Sequence, residues 1–95
     1  MAAVHSLDFL MRKTGYDDAY KELREVLISA RREAGVSQEK LAAKLGRAQT
    51  FVSKIELGER RLDLIELLVW ADALGVDARE VVERLLKKVR PKTRR

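Results

Sequence analysis

The chain has no cysteine. That excludes disulfides and thiolate zinc sites, and it suits a reducing cytosol. Its one histidine, His5, sits close to the N-terminus. A lone imidazole in a terminal segment is read as a solvated residue, not a metal ligand or a general base. One proline and five glycines occur in 95 residues. So few breakers, among many Leu, Ala, Glu, Lys and Arg, favour helix throughout. No apolar run approaches the roughly 20 residues needed to cross a bilayer. A short apolar patch (Leu7, Phe9, Leu10, Met11) is interrupted by Asp8, and no small-residue cleavage site follows, so no signal peptide is expected. No glycine-rich phosphate loop is present. The carboxylate pairs Glu22/Glu25 and Glu80/Glu83 are most simply solubilising helix-surface charge. These absences exclude most enzyme chemistry, leave no expected metal or cofactor, and argue against a membrane protein.

What remains is a small, folded, basic chain. Hydrophobic residues make up 46%, too many for a disordered segment. The length fits one small domain with a modest core. The formal charge is +5, unevenly placed. Residues 87–95 carry six Lys or Arg and no acid, while the first 86 hold 14 basic and 15 acidic side chains. Within that nearly neutral body, Lys40, Lys44, Arg47, Lys54, Arg60 and Arg61 cluster against only Glu56 and Glu59. A local excess of cations is an electrostatic footprint for phosphate.

Periodicity and capping signals predict five helices. The first runs from about Asp18 to Ala34, capped by Asp17 or Asp18, with an apolar face of Tyr20, Leu23, Leu27, Ala30 and Ala34. The second follows Ser37 and buries Leu41, Ala42 and Leu45. The third covers about Ala48–Leu57 and buries Val52 and Ile55. The fourth starts at Asp63, where Glu66 completes a capping box and Leu62 and Leu67 a hydrophobic staple. The fifth repeats the device with Asp77, Glu80, Val76 and Val81, and ends before Pro91. The expected organisation is an extension over 1–17, a helical domain over 18–89 and a basic tail over 90–95.

The stretch SQEKLAAKLGRAQTFVSKIELG, Ser37 to Gly58, carries the functional signal. Gly46 lies eleven residues after Gly35 and twelve before Gly58. Glycine ends a helix in the left-handed conformation at lowest cost. The spacing therefore gives two short helices and a sharp corner, a helix-turn-helix whose second helix can enter a major groove. With positions 48, 52 and 55 inward, Gln49, Thr50, Ser53 and Lys54 face outward. Gln can bond adenine, Lys can reach guanine, and Ser or Thr can bond bases or phosphates. No carboxylate stands among them. Gln38, at a helix N-terminus, and Lys44, Arg47, Arg60 and Arg61 are candidate phosphate contacts. Phe51 is placed at the edge of the core.

From about Leu27 to Val76 the chain resembles the Cro/repressor type of helix-turn-helix domain, the XRE family. The matching residues are Arg31, Gly35-Val36-Ser37-Gln38, Leu41-Ala42, Leu45-Gly46, Val52-Ser53-Lys54-Ile55-Glu56, Gly58 and Ala73-Leu74-Gly75-Val76. The resemblance implies an all-α, compact five-helix domain of the lambda-repressor-like type, usually dimeric, that binds operator DNA and regulates transcription. It implies that Gln49, Thr50 and Lys54 face base edges and that Gln38 contacts phosphate and positions the first reading side chain. It also implies a structural ion pair between Arg31 and Glu56. Ala48 departs from the family, which often has Ser, Thr or Pro there, and the family does not explain the N-terminal extension.

The expected partner is double-stranded DNA, bound by a homodimer in the cytoplasm. The apolar fourth helix and the fifth helix supply the dimer candidates Trp70, Val82, Leu85, Leu86 and Val89, with a core role the stronger reading for Trp70. One alternative is an antitoxin-like protein that also sequesters a protein partner. Another is a scaffold that kept the fold and lost DNA.

Overall fold

The computed structural model describes residues 17–89. The rest of the N-terminal extension, with His5, and the basic residues from Arg90 onward lie outside the described residues. Five helices follow one another. α1 spans Asp17–Glu33, α2 Gln38–Leu45, α3 Gln49–Leu57, α4 Leu64–Leu74 and α5 Ala78–Val89. No strand occurs among the described residues.

Local chemistry sets most of the boundaries. The Ser37 hydroxyl accepts from the Lys40 N–H, which satisfies one orphan donor of α2. At α4 both halves of the capping box form: Asp63 accepts from the Glu66 N–H, and Glu66 accepts from the Asp63 N–H. At α5 only part of the expected cap appears. Asp77 accepts from the Arg79 N–H, while the Glu80 carboxylate is drawn to Arg84 instead of returning to the cap. Asp17 and Asp18 both lie inside the first turn of α1, where their charge complements the helix dipole; neither is its cap.

The corner between α2 and α3 is a tight joint of three residues. Gly46 has φ of 68°, its N–H donates to Ala43 O at 3.1 Å, and the Arg47 N–H donates to Ala42 O at 2.9 Å. These paired bonds close the carbonyl end of α2 and reverse the chain at once. Ala48 then serves as the cap position of α3 without any side-chain bond. Three residues therefore turn α2 into α3.

A single core lies behind this corner. Val26, Leu27 and Ala30 of α1 meet Leu41 and Ala42 of α2, Val52 and Ile55 of α3, Leu67, Trp70, Ala71 and Leu74 of α4, and Val81 of α5. Val26 takes the place the periodicity assigned to Ala34, which is exposed beyond the end of α1. Tyr20 and Leu23 are only half-buried. α4 is not buried all round. One face is in the core, and Leu64, Ile65, Leu68 and Val69 remain in solvent. α5 lies along α1, where Arg84 pairs with Glu33 at 2.7 Å.

Gly46→Ala forces a Cβ into the left-handed region, although no neighbouring atom lies within 4 Å of it. The expected cost is therefore backbone strain alone, roughly 1–2 kcal/mol. Urea unfolding should show a lower midpoint at unchanged slope, and an unchanged midpoint would mean that the corner is not built this way.

Candidate nucleic-acid interface

One carboxylate organises the region behind α3. Glu56 is buried, and an unpaired charge there would be expensive. It is not unpaired. Arg31 Nε donates to Oε2 at 2.7 Å, and Arg31 Nη2 donates to Oε1 at 3.1 Å. Arg31 Nη1 donates to Val36 O at 2.9 Å, which ties the same guanidinium to the chain entering α2. The Gln38 amide nitrogen donates to Glu56 Oε1 at 2.8 Å. A charged carboxylate only accepts, so the amide must turn its nitrogen inward and its oxygen toward α3. That oxygen accepts from Ser53 Oγ at 3.1 Å and lies 3.5 Å from the Gln49 amide nitrogen. Three helices are thus joined through one chain of donors and acceptors.

This network sorts the outward residues of α3. Gln49, Thr50 and Lys54 are exposed. Ser53 is different. Its hydroxyl lies within bonding distance of Gln38 Oε1 and of Gln49 O, at 3.1 and 3.2 Å. In this chain the hydroxyl expected to face bases turns back toward Gln38, which offers an acceptor there. Gln38 itself spends its carbonyl and one N–H on the network, so positioning is its first role and a single N–H remains for a phosphate.

The rim holds the cations. Lys44 and Arg47 are exposed. Arg47 lies over the Phe51 ring, 4.3 Å from its centroid, and Arg60 lies 4.8 Å from the same centroid. Arg60 is not a free phosphate donor, as the sequence suggested. Its Nη1 and Nη2 donate to Glu66 Oε1 and Oε2 at 2.9 and 2.8 Å, a filled fork. Arg61 is exposed and rests over the Tyr20 ring at 4.1 Å. Arg60 first, and then the Asp63 N–H, hold the Glu66 carboxyl down at about 2, from an ordinary 4.5.

The dimer candidates also change. Trp70 is 1% exposed and belongs to the core, and Val89 is buried as well. Neither can present a face to a second chain. Leu85 and Leu86 are half-buried, and Val82 is exposed. The larger apolar surface is elsewhere, at Leu57, Leu64, Ile65, Leu68 and Val69, with Leu64 at 67% and Ile65 at 66% exposed. Among the described residues no group of three His, Cys, Asp or Glu could hold a metal ion. No described helix is long and apolar enough to cross a membrane.

Residues 27–81, more than half of the chain, match the model of the Helix-turn-helix family. A solved XRE-family like protein from Pseudomonas syringae pv. tomato str. DC3000 is 42% identical, with a TM-score of 0.75 over 81% of this chain and 94% of that one. The chain belongs to the XRE family of helix-turn-helix regulators. An uncharacterized HTH-type transcriptional regulator, y4dJ, of Sinorhizobium fredii (strain NBRC 101917 / NGR234) is 42% identical over 52 residues, 55% of this chain and 68% of that protein. The clp gene regulator ClgR from C. glutamicum shares the fold at 23% identity, with a TM-score of 0.68 over 74% of this chain and 91% of that one.

Sequence reasoning missed two features of this XRE-family site. Phe51 serves as a shelf for two guanidinium groups, and Glu66 is the acid that collects Arg60. No local signal marks either one. Arg60 and Glu66 are six residues apart on different elements, so no helical spacing pairs them.

Two outcomes follow from these charges. Arg31→Met leaves the Glu56 charge buried without its main partner, and stability should fall by about 3–5 kcal/mol. Adding Glu56→Met should recover part of that loss in urea titrations of the double variant. The Glu66 carboxyl is lower in the folded chain than in the unfolded one, so its contribution is complete above pH 4.5 and fades as pH falls toward 2. Thermal melts across that window should drop more steeply for the wild type than for Glu66→Gln.

Proposed function

We propose that this chain is a sequence-specific transcriptional repressor that binds a palindromic operator as a homodimer in the cytoplasm. Residues 18–89 form the DNA-binding unit, with 1–17 as an extension and 90–95 as a basic tail. The observation that carries the reading is the division of labour on α3. Its inner side is fixed through Glu56 to Arg31 and Gln38, while Thr50 and Lys54 stay exposed and Gln49 is exposed with only a long 3.5 Å contact to Gln38. A reading face needs side chains held in register by a rigid support, with donors left over for the bases. Lys44, Arg47 and Arg61 border that face and supply phosphate contacts.

A single reading helix covers only a half-site. Two copies related by a two-fold axis place two such helices about 34 Å apart, one turn of DNA. The strip of Leu57, Leu64, Ile65, Leu68 and Val69 supports such an assembly. These side chains are uncharged, so a second copy of the same surface covers them without stranding an ion. The antitoxin alternative uses the same strip for a different protein.

Selection of bound sites from random DNA tests the proposal. The selected sites should be two-fold symmetric, with half-site centres about one turn apart. Affinity should fall steeply between about 50 and 200 mM salt, because phosphate contacts release counterions. Gln49→Ala or Lys54→Ala should cost roughly 1–3 kcal/mol and relax the preference at one position. Equal weakening on every sequence would show that these side chains do not read bases. Asymmetric single half-sites would remove the dimer.

A further inference from the structure

The rim of α3 contains one acid that the DNA-binding reading does not use. Glu66 stands in the first turn of α4, with its carboxylate facing Arg60 and Arg47. Its position is fixed from its own side. Oε1 accepts from the Asp63 N–H at 3.0 Å, and the Glu66 N–H donates to Asp63 Oδ1 at 2.7 Å. The carboxylate is therefore a fixed post, and the arginine comes to it.

Arg60 arrives with its fork fully matched. Nη1 and Nη2 reach the two carboxylate oxygens, and Nη1 also donates to Arg61 O at 2.9 Å. A guanidinium in that state cannot present the same fork to a phosphate. Arg47 is held differently. Its Nη2 is 3.8 Å from Glu66 Oε2, too far for a hydrogen bond, and its plane rests over Phe51. Phe51 is in the first turn of α3, beside Gln49 and Thr50. Two arginines thus share one ring beside Gln49 and Thr50, yet of the two only Arg60 donates hydrogen bonds to an acceptor among the described residues.

We propose that Glu66 limits sequence-independent DNA binding by occupying the Arg60 fork, which leaves Arg47 as the phosphate contact on this side of the rim. The inference rests on the DNA-binding reading above. Its logic is electrostatic. Each cation that reaches a phosphate adds affinity for any sequence and steepens the salt dependence. An internal carboxylate that outcompetes phosphate removes one such contact without touching the residues that face base edges.

The test uses the full chain and a labelled duplex of scrambled sequence, titrated at several salt concentrations. Glu66→Gln keeps an acceptor for the capping box but loses the charge. It should bind this duplex roughly five- to tenfold more tightly at 0.1 M salt, with a log–log salt slope steeper by about 0.9. Glu59→Gln removes the same unit of charge from an exposed neighbouring position and should change the slope much less, because among the described residues that charge holds no fork. Adding Arg60→Ala to Glu66→Gln should return the slope to the wild-type value. A simple loss of fold would weaken binding, the opposite of the expected gain. Wild-type binding with Glu66→Gln no different from Glu59→Gln overturns this inference alone. So does a drop of about 0.9 in slope on Arg60→Ala by itself, since Arg60 would then already touch phosphate. A wild-type chain without salt-dependent DNA binding overturns this inference and the proposed function together.

Discussion

The buried Glu56 carboxylate is the constraint on which the rest depends. A charge in that position must be matched, and Arg31 matches it with two N–H donors from another helix. The match fixes more than an ion pair. Because the carboxylate cannot donate, it dictates which end of the Gln38 amide points inward. The outward end then faces Ser53 and Gln49. A choice of proton positions beneath the surface thereby reaches the outer face of α3. Carboxylate, guanidinium and amide form one satisfied network, and satisfied networks of this kind favour a unique arrangement of the elements they join.

A second carboxylate performs a similar task at the rim. Glu66 closes the cap of α4 and also gathers Arg60, which lies with Arg47 over the Phe51 ring. Glu66 thus takes Arg60 out of the basic cluster, whereas Glu56 is matched by Arg31 from outside it. Formal charge counts matched and unmatched cations alike. A cation already matched by a carboxylate adds little to the field at this face, which is therefore weaker and more local than the sequence total suggests.

Much of the fold could be read along the chain. Ser37, Gly46 and Gly58 mark the ends of α2 and α3 because capping and left-handed turns are settled by atoms a few residues apart. The Asp63–Glu66 box is equally local. The same rule failed at Asp77 and Glu80, where Arg84 offered the Glu80 carboxylate a charged partner. The interface was less legible. The exposure of Gln49, Thr50 and Lys54 follows from helical periodicity, since Val52 and Ile55 point the other way. The pairing of Arg31 with Glu56 came from family resemblance and not from any spacing.

The sequence by itself determined the number of helices, the sharp corner at Gly46 and the polar, carboxylate-free outer face of α3. Each depends on interactions within one or two turns of backbone, whose strength does not need the rest of the fold. Tertiary structure alone decided that Ser53 turns inward, that Arg60 is held by Glu66, that Trp70 is core and that one side of α4 stays bare. Those outcomes depend on which helices come together and at what angle. Long side chains reach for the nearest matching group in space, and only the packed core says which group that is.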